Sequence, residues 1–251
     1  MLHHRFDGPE DAPVVVLSNS LGTTLEMWDR QVPALSDRFR VLRYDARGHG
    51  RSPVPEGPYS MADLGGDVVD LLDRLEIERA SFCGISIGGM VGLWLGINAP
   101  ERIDRLVLCC TAAQVLSAAD WKERADTVRA DGVVALADAT IDRWFSPEFR
   151  EAEPALVESI RETLVDTDAE GYASCAEAIG GHDVRERLGS IGAPTLVITA
   201  ADDPSIPPEH GRLIASRVPE AQLNALSHGR HLCNIEHPEE FNRALQGHLR
   251  V

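Results

Sequence analysis

The sequence predicts an α/β fold: a mostly parallel sheet with helices on both faces and an all-helical segment inserted into it. Strand-like and helix-like segments alternate along most of the 251 residues, which is typical of parallel strands joined by crossover helices. The alternation stops between residues 113 and 187, where only helix-like segments follow one another. A third observation is Ser86, the centre of a Gly-x-Ser-x-Gly pattern between a strand-like and a helix-like segment.

Hydrophobic patterning defines the elements that precede the helical segment. Residues 13–19 are rich in β-branched side chains, and residues 61–75 place leucines and valines at amphipathic helical spacing. In chain order we expect a strand over 13–19, a helix over 25–36, a strand over 39–45, a helix over 61–75, a strand ending at Ser86, a helix over 88–98 and a strand over 103–110.

The segment 113–187 is expected to contain helices over 118–129, 133–144, 155–165 and 169–179. The alternative is a pair of plain crossover helices, but roughly seventy-five residues exceed what one crossover needs. We therefore predict a cap over the carboxyl edge of the sheet, where open α/β folds bind ligands. Residues 1–112 and 188–251 would form the core, with a strand over 194–199, a helix over 209–216, a strand over 221–225 and a helix over 238–249.

Composition excludes several classes of function. The formal net charge of −16 disfavours nucleic acid and anionic membranes as partners, although a local arginine can still bind a small anion. No stretch approaches the ~18–20 apolar residues of a membrane span, and the first residues lack the apolar core of a signal peptide. The five cysteines are odd in number and lack metal-ligand spacing. We therefore expect a cytoplasmic protein; its oligomeric state is not predicted.

Ser86 is the candidate nucleophile. A serine at the centre of this pattern occupies strained backbone angles on a sharp turn between strand and helix. Gly84 and Gly88 would be required because a Cβ atom at either position would collide where the strand and the helix approach each other.

A serine hydroxyl needs a base that is itself oriented by a third group, and hydrolases with this turn keep the order serine, acid, histidine. Asp203 is the preferred acid because it follows a late strand and precedes a proline-rich turn, where the neighbouring Asp202 would cap or face solvent. His231 is the preferred base because its spacing leads into the last helix, whereas His228 would end the strand.

The oxyanion of a tetrahedral intermediate needs backbone N–H donors. The residue after the nucleophile, Ile87, supplies one, and the loop 18–24 after the first long strand supplies the other.

Taken together, these stretches resemble the α/β-hydrolase superfamily, and more narrowly the 3-oxoadipate enol-lactonases. The resemblance rests on residues 17–23, 27–28, 39–45, 47–52, 57–59, 82–89, 143–145 and 170–173. It implies an eight-stranded sheet with the cap after the sixth strand. Many relatives have His-Gly where this chain has Asn19-Ser20, so the aligned donor is the N–H of Leu21. Two departures are Ile87, where relatives have methionine or leucine, and the presence of His228 beside His231.

The resemblance implies hydrolysis of a small anionic lactone, 3-oxoadipate enol-lactone, through an acyl-enzyme on Ser86, with no metal or organic cofactor. Arg143 would bind the substrate carboxylate and Trp144 would wall the pocket; the alternative is a solvated Arg143 and a Trp144 in the core of the cap. Another small ester as substrate, or a non-catalytic binding protein of the same fold, remain open as alternatives.

Overall fold

The computed structural model describes residues 1–115 and 117–249, and a single seven-stranded sheet lies at its centre. The strands follow the order β1-β3-β2-β4-β5-β6-β7 across the sheet, and only β1 runs antiparallel to its neighbour. The strands are β1 (His4–Asp7), β2 (Val14–Ser18), β3 (Arg40–Tyr44), β4 (Ala80–Ile85), β5 (Ile103–Cys109), β6 (Thr195–Ala200) and β7 (Gln222–Leu226).

Helices connect the parallel strands, as the alternation predicts. They are α1 (Val32–Leu35), α2 (Met61–Arg74), α3 (Ile87–Asn98), α4 (Ala118–Asp131), α5 (Val134–Trp144), α6 (Pro147–Ala152), α7 (Pro154–Val165), α8 (Ala169–Gly180), α9 (Pro208–Arg217), α10 (Cys233–Glu236) and α11 (Pro238–Leu249). Short 3-10 helices cover Leu25–Trp28, Pro100–Arg102 and Arg185–Ser190. No helix within the described ranges is both long and apolar enough to cross a membrane.

Three details of the predicted fold are wrong. The sheet of the described residues has seven strands instead of eight, because β1 alone precedes β2, and the helices that interrupt the alternation therefore follow the fifth strand instead of the sixth. The helix expected over 25–36 is a 3-10 helix followed by the short α1. Pro33 lies in the first turn of α1 and has no N–H with which to continue a helix from Leu25.

Parallel pairing brings the candidate functional residues to one edge. Strand β4 lies between β2 and β5, and Ile85 is in register with Cys109. All residues of β4 and β6 are buried. Since the carboxyl ends of parallel strands meet at the same edge, the residues that follow β2, β4 and β6 converge there.

Helices α4 to α8 lie between β5 and β6 in the chain, and the two connections to the sheet pair with each other. Gln114 and Asp183 form an isolated antiparallel bridge, and the N–H of Val184 donates to the carbonyl of Ala113 at 2.9 Å. Buried His182 lies in this junction. Its Nε2 has no hydrogen-bond partner in the parts of the chain that the structure describes.

Candidate active site

Ser86 occupies the strained turn that the pattern predicts. Its φ is 60° and its ψ is −122°, a backbone conformation that L residues rarely adopt. A Cβ atom on Gly84 would lie 2.1 Å from the carbonyl oxygen of Gly88, and one on Gly88 would lie 2.3 Å from that of Ser18. The turn is held by the N–H of Ser86, which donates to the carbonyl of Cys109 at 2.9 Å, and by the Thr111 hydroxyl, which donates to the carbonyl of Ser86 at 2.7 Å.

The buried side chains of Asp203 and His231 contact each other near that turn. Asp203 Oδ2 lies 2.8 Å from His231 Nδ1. Asp203 Oδ1 accepts from the N–H groups of Ser205 at 2.8 Å and Ile206 at 3.0 Å. An ionised carboxylate only accepts hydrogen bonds, so the imidazole proton belongs on Nδ1 and Nε2 is left as a base. Asp202 is exposed.

Ser86 and His231 line the same cavity, which has a volume of about 300 Å³. The hydrogen bonds of the described residues do not include one between Ser86 Oγ and His231, although such contacts often tighten only when a ligand binds. His228, the alternative base, is exposed and does not line this cavity. We call the side contributed by α3 and by the loops of the sheet domain the core wall; it consists of Ser20, Leu21, Ser86, Met90, Pro204, Ser205, Ile206 and His231.

Two backbone N–H groups near Ser86 have no acceptor among the described residues: that of Leu21 on the core wall and that of Ile87, which follows Ser86 in the chain. The loop after β2 is anchored because Asn19 Nδ2 donates to the carbonyl of Tyr44 and Asn19 Oδ1 accepts from Trp28 Nε1. Within the described residues, neither the N–H of Leu21 nor that of Ile87 takes part in a hydrogen bond. Buried N–H groups are almost always paired, so the two free donors fit an oxyanion that arrives with a ligand.

The opposite side of the cavity comes from the inserted helices. We call it the helical wall; it consists of Asp120, Trp121, Arg124, Thr140, Arg143, Trp144, Tyr172 and Ile179. The predicted binding residues Arg143 and Trp144 both belong to it. Trp144 is buried with 4% of its surface exposed, so it contributes both to the wall and to the packing of the helices.

Two arginines face this cavity without a carboxylate partner. Arg124 donates through Nε to the Tyr172 hydroxyl at 2.9 Å and through Nη2 to the Thr140 hydroxyl at 3.0 Å, and Arg143 donates to the same Thr140 hydroxyl at 3.3 Å. Asp120 shares the cavity, but the described part of the chain contains no ion pair within 4.0 Å for either arginine. Burial and the neighbouring positive charge of Arg124 lower the pKa of Arg143.

The sequence interpretation missed Arg124. No local signal marks it, because α4 also carries Arg129 and the chain of net charge −16 offers acidic partners to any of these arginines. The repulsion between two neighbouring arginines, neither of which pairs with a carboxylate of the described residues, raises the electrostatic energy of the protein. The pair is therefore suited to a small anion.

Within residues 1–115 and 117–249, no group of three metal-ligating side chains comes together.

The chain is similar to hydrolases over nearly its whole length. Residues 13–238 match the model of the alpha/beta hydrolase fold family. A 3-oxoadipate enol-lactonase of Acinetobacter baylyi is 42% identical over 98% of this chain and 91% of its own length. A putative carbamate hydrolase of Agrobacterium fabrum is 33% identical over 97% of this chain and 95% of its own length. The crystal structure of the enol-lactonase from Burkholderia xenovorans has a TM-score of 0.97, 46% identity, and coverage of 100% of this chain and 96% of that one.

Proposed function

Since this chain belongs to the alpha/beta hydrolase family, we propose that it is a serine hydrolase that opens 3-oxoadipate enol-lactone to 3-oxoadipate. The observation that carries the proposal is one cavity in which Ser86 and His231 face two arginines without carboxylate partners. The enol-lactonase relative at 42% identity supports the choice of substrate.

Acylation follows from the core wall. Ser86 Oγ attacks the lactone carbonyl while His231 Nε2 takes the hydroxyl proton, and Asp203 keeps the imidazole oriented. The N–H groups of Leu21 and Ile87 bind the developing oxyanion, and a donor in such a position contributes ~3–4 kcal/mol. Collapse of the tetrahedral intermediate breaks the ring C–O bond. The leaving enolate takes its proton from His231, and the enol then tautomerises to the ketone.

Deacylation reuses the same groups. His231 Nε2 removes a proton from water, the hydroxide attacks the acyl carbonyl, and the second tetrahedral intermediate forms over the same two N–H groups. Its collapse breaks the ester bond, and His231 returns the proton to Ser86 Oγ. The released product is a dicarboxylate.

The helical wall accounts for the negative charge of the substrate. We infer that residues 113–187 act as a cap, which places Arg143 and Arg124 across the cavity from Ser86. A carboxylate on the side chain of the ring would replace the missing acidic partner of this pair, and each charge-assisted hydrogen bond contributes roughly 1.5–3 kcal/mol. Trp144 would close the same wall beside the ring.

Hydrolysis of another small ester, or of a carbamate, is the second candidate. It is favoured by the relative at 33% identity that carries the carbamate hydrolase description. A binding protein without turnover is the third, and it has no use for the ordered Ser86, Asp203 and His231.

The test is to incubate the purified protein with the enol-lactone and to follow the ultraviolet absorbance of the lactone. We expect rapid loss of absorbance, a Ser86→Ala variant indistinguishable from buffer, and an unaffected Ser216→Ala variant as the matched control on the exposed surface of α9. Faster turnover of simple esters or carbamates with the lactone untouched would favour the second candidate. Failure of a fluorophosphonate probe to label Ser86 would favour the third.

A further inference from the structure

We propose that His49 is a positioning residue for the backbone donor at Leu21, a role that rests on the function proposed above. His49 lies in the turn after β3, away from the Ser86 cavity. It is 3% exposed. The Ser86, Asp203 and His231 mechanism does not use it, so its burial needs a separate explanation.

The imidazole holds the loop that carries the free donor. The N–H of Gly22 donates to His49 Nε2 at 2.9 Å. This N–H belongs to the peptide plane that follows Leu21, so the bond restricts the backbone on the carboxyl side of the donor. Gly22 itself has a φ of +76°, and a Cβ atom there would lie 2.4 Å from the Leu164 side chain. A side chain at residue 22 would be strained, and Gly22 has none with which to anchor the loop, so its N–H is held by His49.

One neutral tautomer of His49 satisfies both of its nitrogens. Because Nε2 accepts from Gly22, the ring proton belongs on Nδ1, which lies 3.1 Å from the carbonyl oxygen of Arg47. A second proton would place two N–H groups against each other and break the bond to Gly22. Burial lowers the pKa of His49, which keeps the ring neutral.

Charges from several elements surround the ring. The carboxylates of Asp45, which follows β3, and Asp168, which precedes α8, favour the protonated form, and burial opposes them. Arg47, Asp67 and Cys175 line a small cavity together with His49, and Ile87 lines it too. His49 therefore contacts the loop that carries Leu21 and faces the same small cavity as Ile87.

The rest of the loop is anchored on either side of Leu21. The N–H of Ser20 donates to Met27 Sδ at 3.4 Å, and that of Thr23 donates to the carbonyl of Ser20 at 3.3 Å. With Gly22 bound to His49, the N–H groups of residues 20, 22 and 23 all have acceptors. Leu21 is left as the unpaired member, and the three anchors fix the direction of its N–H.

The experiment compares His49→Leu with His49→Gln, whose Oε1 can still accept from Gly22. We expect His49→Leu to lower kcat by ~10–100-fold with KM changed less than ~3-fold, because misplacing a transition-state donor costs rate and not ground-state binding. His49→Gln should recover kcat to within ~5-fold of the parent. The rate of Ser86 phosphonylation by a fluorophosphonate should follow the same order. His182→Gln, at a buried histidine outside the cavity, is the matched control.

The outcomes separate this inference from the proposed function. A parent protein that neither turns over esters nor reacts with the probe contradicts the function, whereas an active parent with an equally active, folded His49→Leu contradicts only the role of His49. If His49→Leu does not fold, the pH profile decides. The acid limb of log kcat should be steeper in the parent than in His49→Gln, since the parent must keep one more imidazole neutral; identical limbs would overturn the proposal.

Discussion

The two walls of the Ser86 cavity are built in different ways. On the core wall and directly behind it, groups are held by backbone geometry: Ser86 at a φ of 60°, the Asp203 carboxylate that accepts two N–H groups, and the free N–H groups of Leu21 and Ile87. On the helical wall the groups that face the cavity are long side chains, and Arg124 and Arg143 share the hydroxyl of Thr140. Under the proposed function, the core wall carries out acyl transfer, whereas the side chains of the helical wall select the substrate.

This difference predicts how substitutions in each wall should behave. A change in the core wall should lower the rate for every substrate, because the transition state of acyl transfer is common to all of them. A change in the helical wall should distinguish charged from neutral substrates. Substitution of His182, at the junction where the helical segment joins the sheet, should change the free energy of unfolding more than it changes the reaction rate.

The largest effect is expected at Asp203. Asp203→Asn should lower kcat by ~10⁴-fold on lactone and neutral ester alike, because an amide donating to Nδ1 stabilises the wrong tautomer of His231. Steady-state kinetics on both substrates would measure it, with the exposed neighbour Asp202→Asn as the matched control. A loss confined to the lactone would contradict the division between the walls.

The next effect concerns His182 in the junction. Burial lowers the pKa of His182 from 6.5 to about 4, so below pH 6.5 the unfolded chain binds a proton that the native protein excludes. The free energy of unfolding should therefore be intact above pH 6.5 and fall by about 2–3 kcal/mol between pH 6.5 and pH 4.5, at ~1.4 kcal/mol per pH unit.

Urea unfolding at pH 7.0, 5.5 and 4.5 would measure this dependence. His182→Gln cannot take up the proton, so its unfolding free energy should vary less over the same interval, with the buried His49 contributing the remaining slope. Equal slopes in the two proteins would contradict the lowered pKa of His182, because they would mean that the native and unfolded states bind its proton alike.

The smallest effect is expected on the helical wall. Arg124→Leu and Arg143→Leu should each lower kcat/KM for the lactone by ~10–100-fold while changing it less than ~3-fold for p-nitrophenyl acetate, because only the lactone carries a carboxylate. Arg161→Gln is the control, since Arg161 pairs with Asp138 at 2.8 Å outside the cavity. Equal losses on both substrates would assign the arginines a structural role.

Sequence reasoning named groups on the core wall and, on the helical wall, Arg143 and Trp144, but it missed Arg124 for a physical reason. The turn at Ser86 requires glycines at fixed positions, and the chain order of acid and base restricts their choice, so local pattern carries the information. Arg124 and Arg129 both lie on α4. Arg129 pairs with Glu170 and Glu177 of α8, whereas Arg124 binds the Tyr172 hydroxyl. Nothing local distinguishes the two, because their partners depend on how α4 packs against α8.

Most elements of the fold were also predictable, and the exceptions have local causes. The four residues of β1 are half-buried or exposed, so they show neither an apolar run nor an alternation. The strand count came from a resemblance instead of a pattern, and it was one too high. Strands β4 and β6 were found because both are runs of mostly apolar residues, which fits strands that are buried along their whole length.

The free N–H groups of Leu21 and Ile87 have a consequence for how the sequence can evolve. Every amino acid except proline carries a backbone N–H, so substituting either side chain leaves both donors in place. Apart from a change to proline, selection on these two donors would therefore act through the neighbours that orient the backbone, among them Asn19, Gly22 and His49. Among homologues, we therefore expect the amino acids at positions 21 and 87 to vary more freely than those at the positions that orient their backbone.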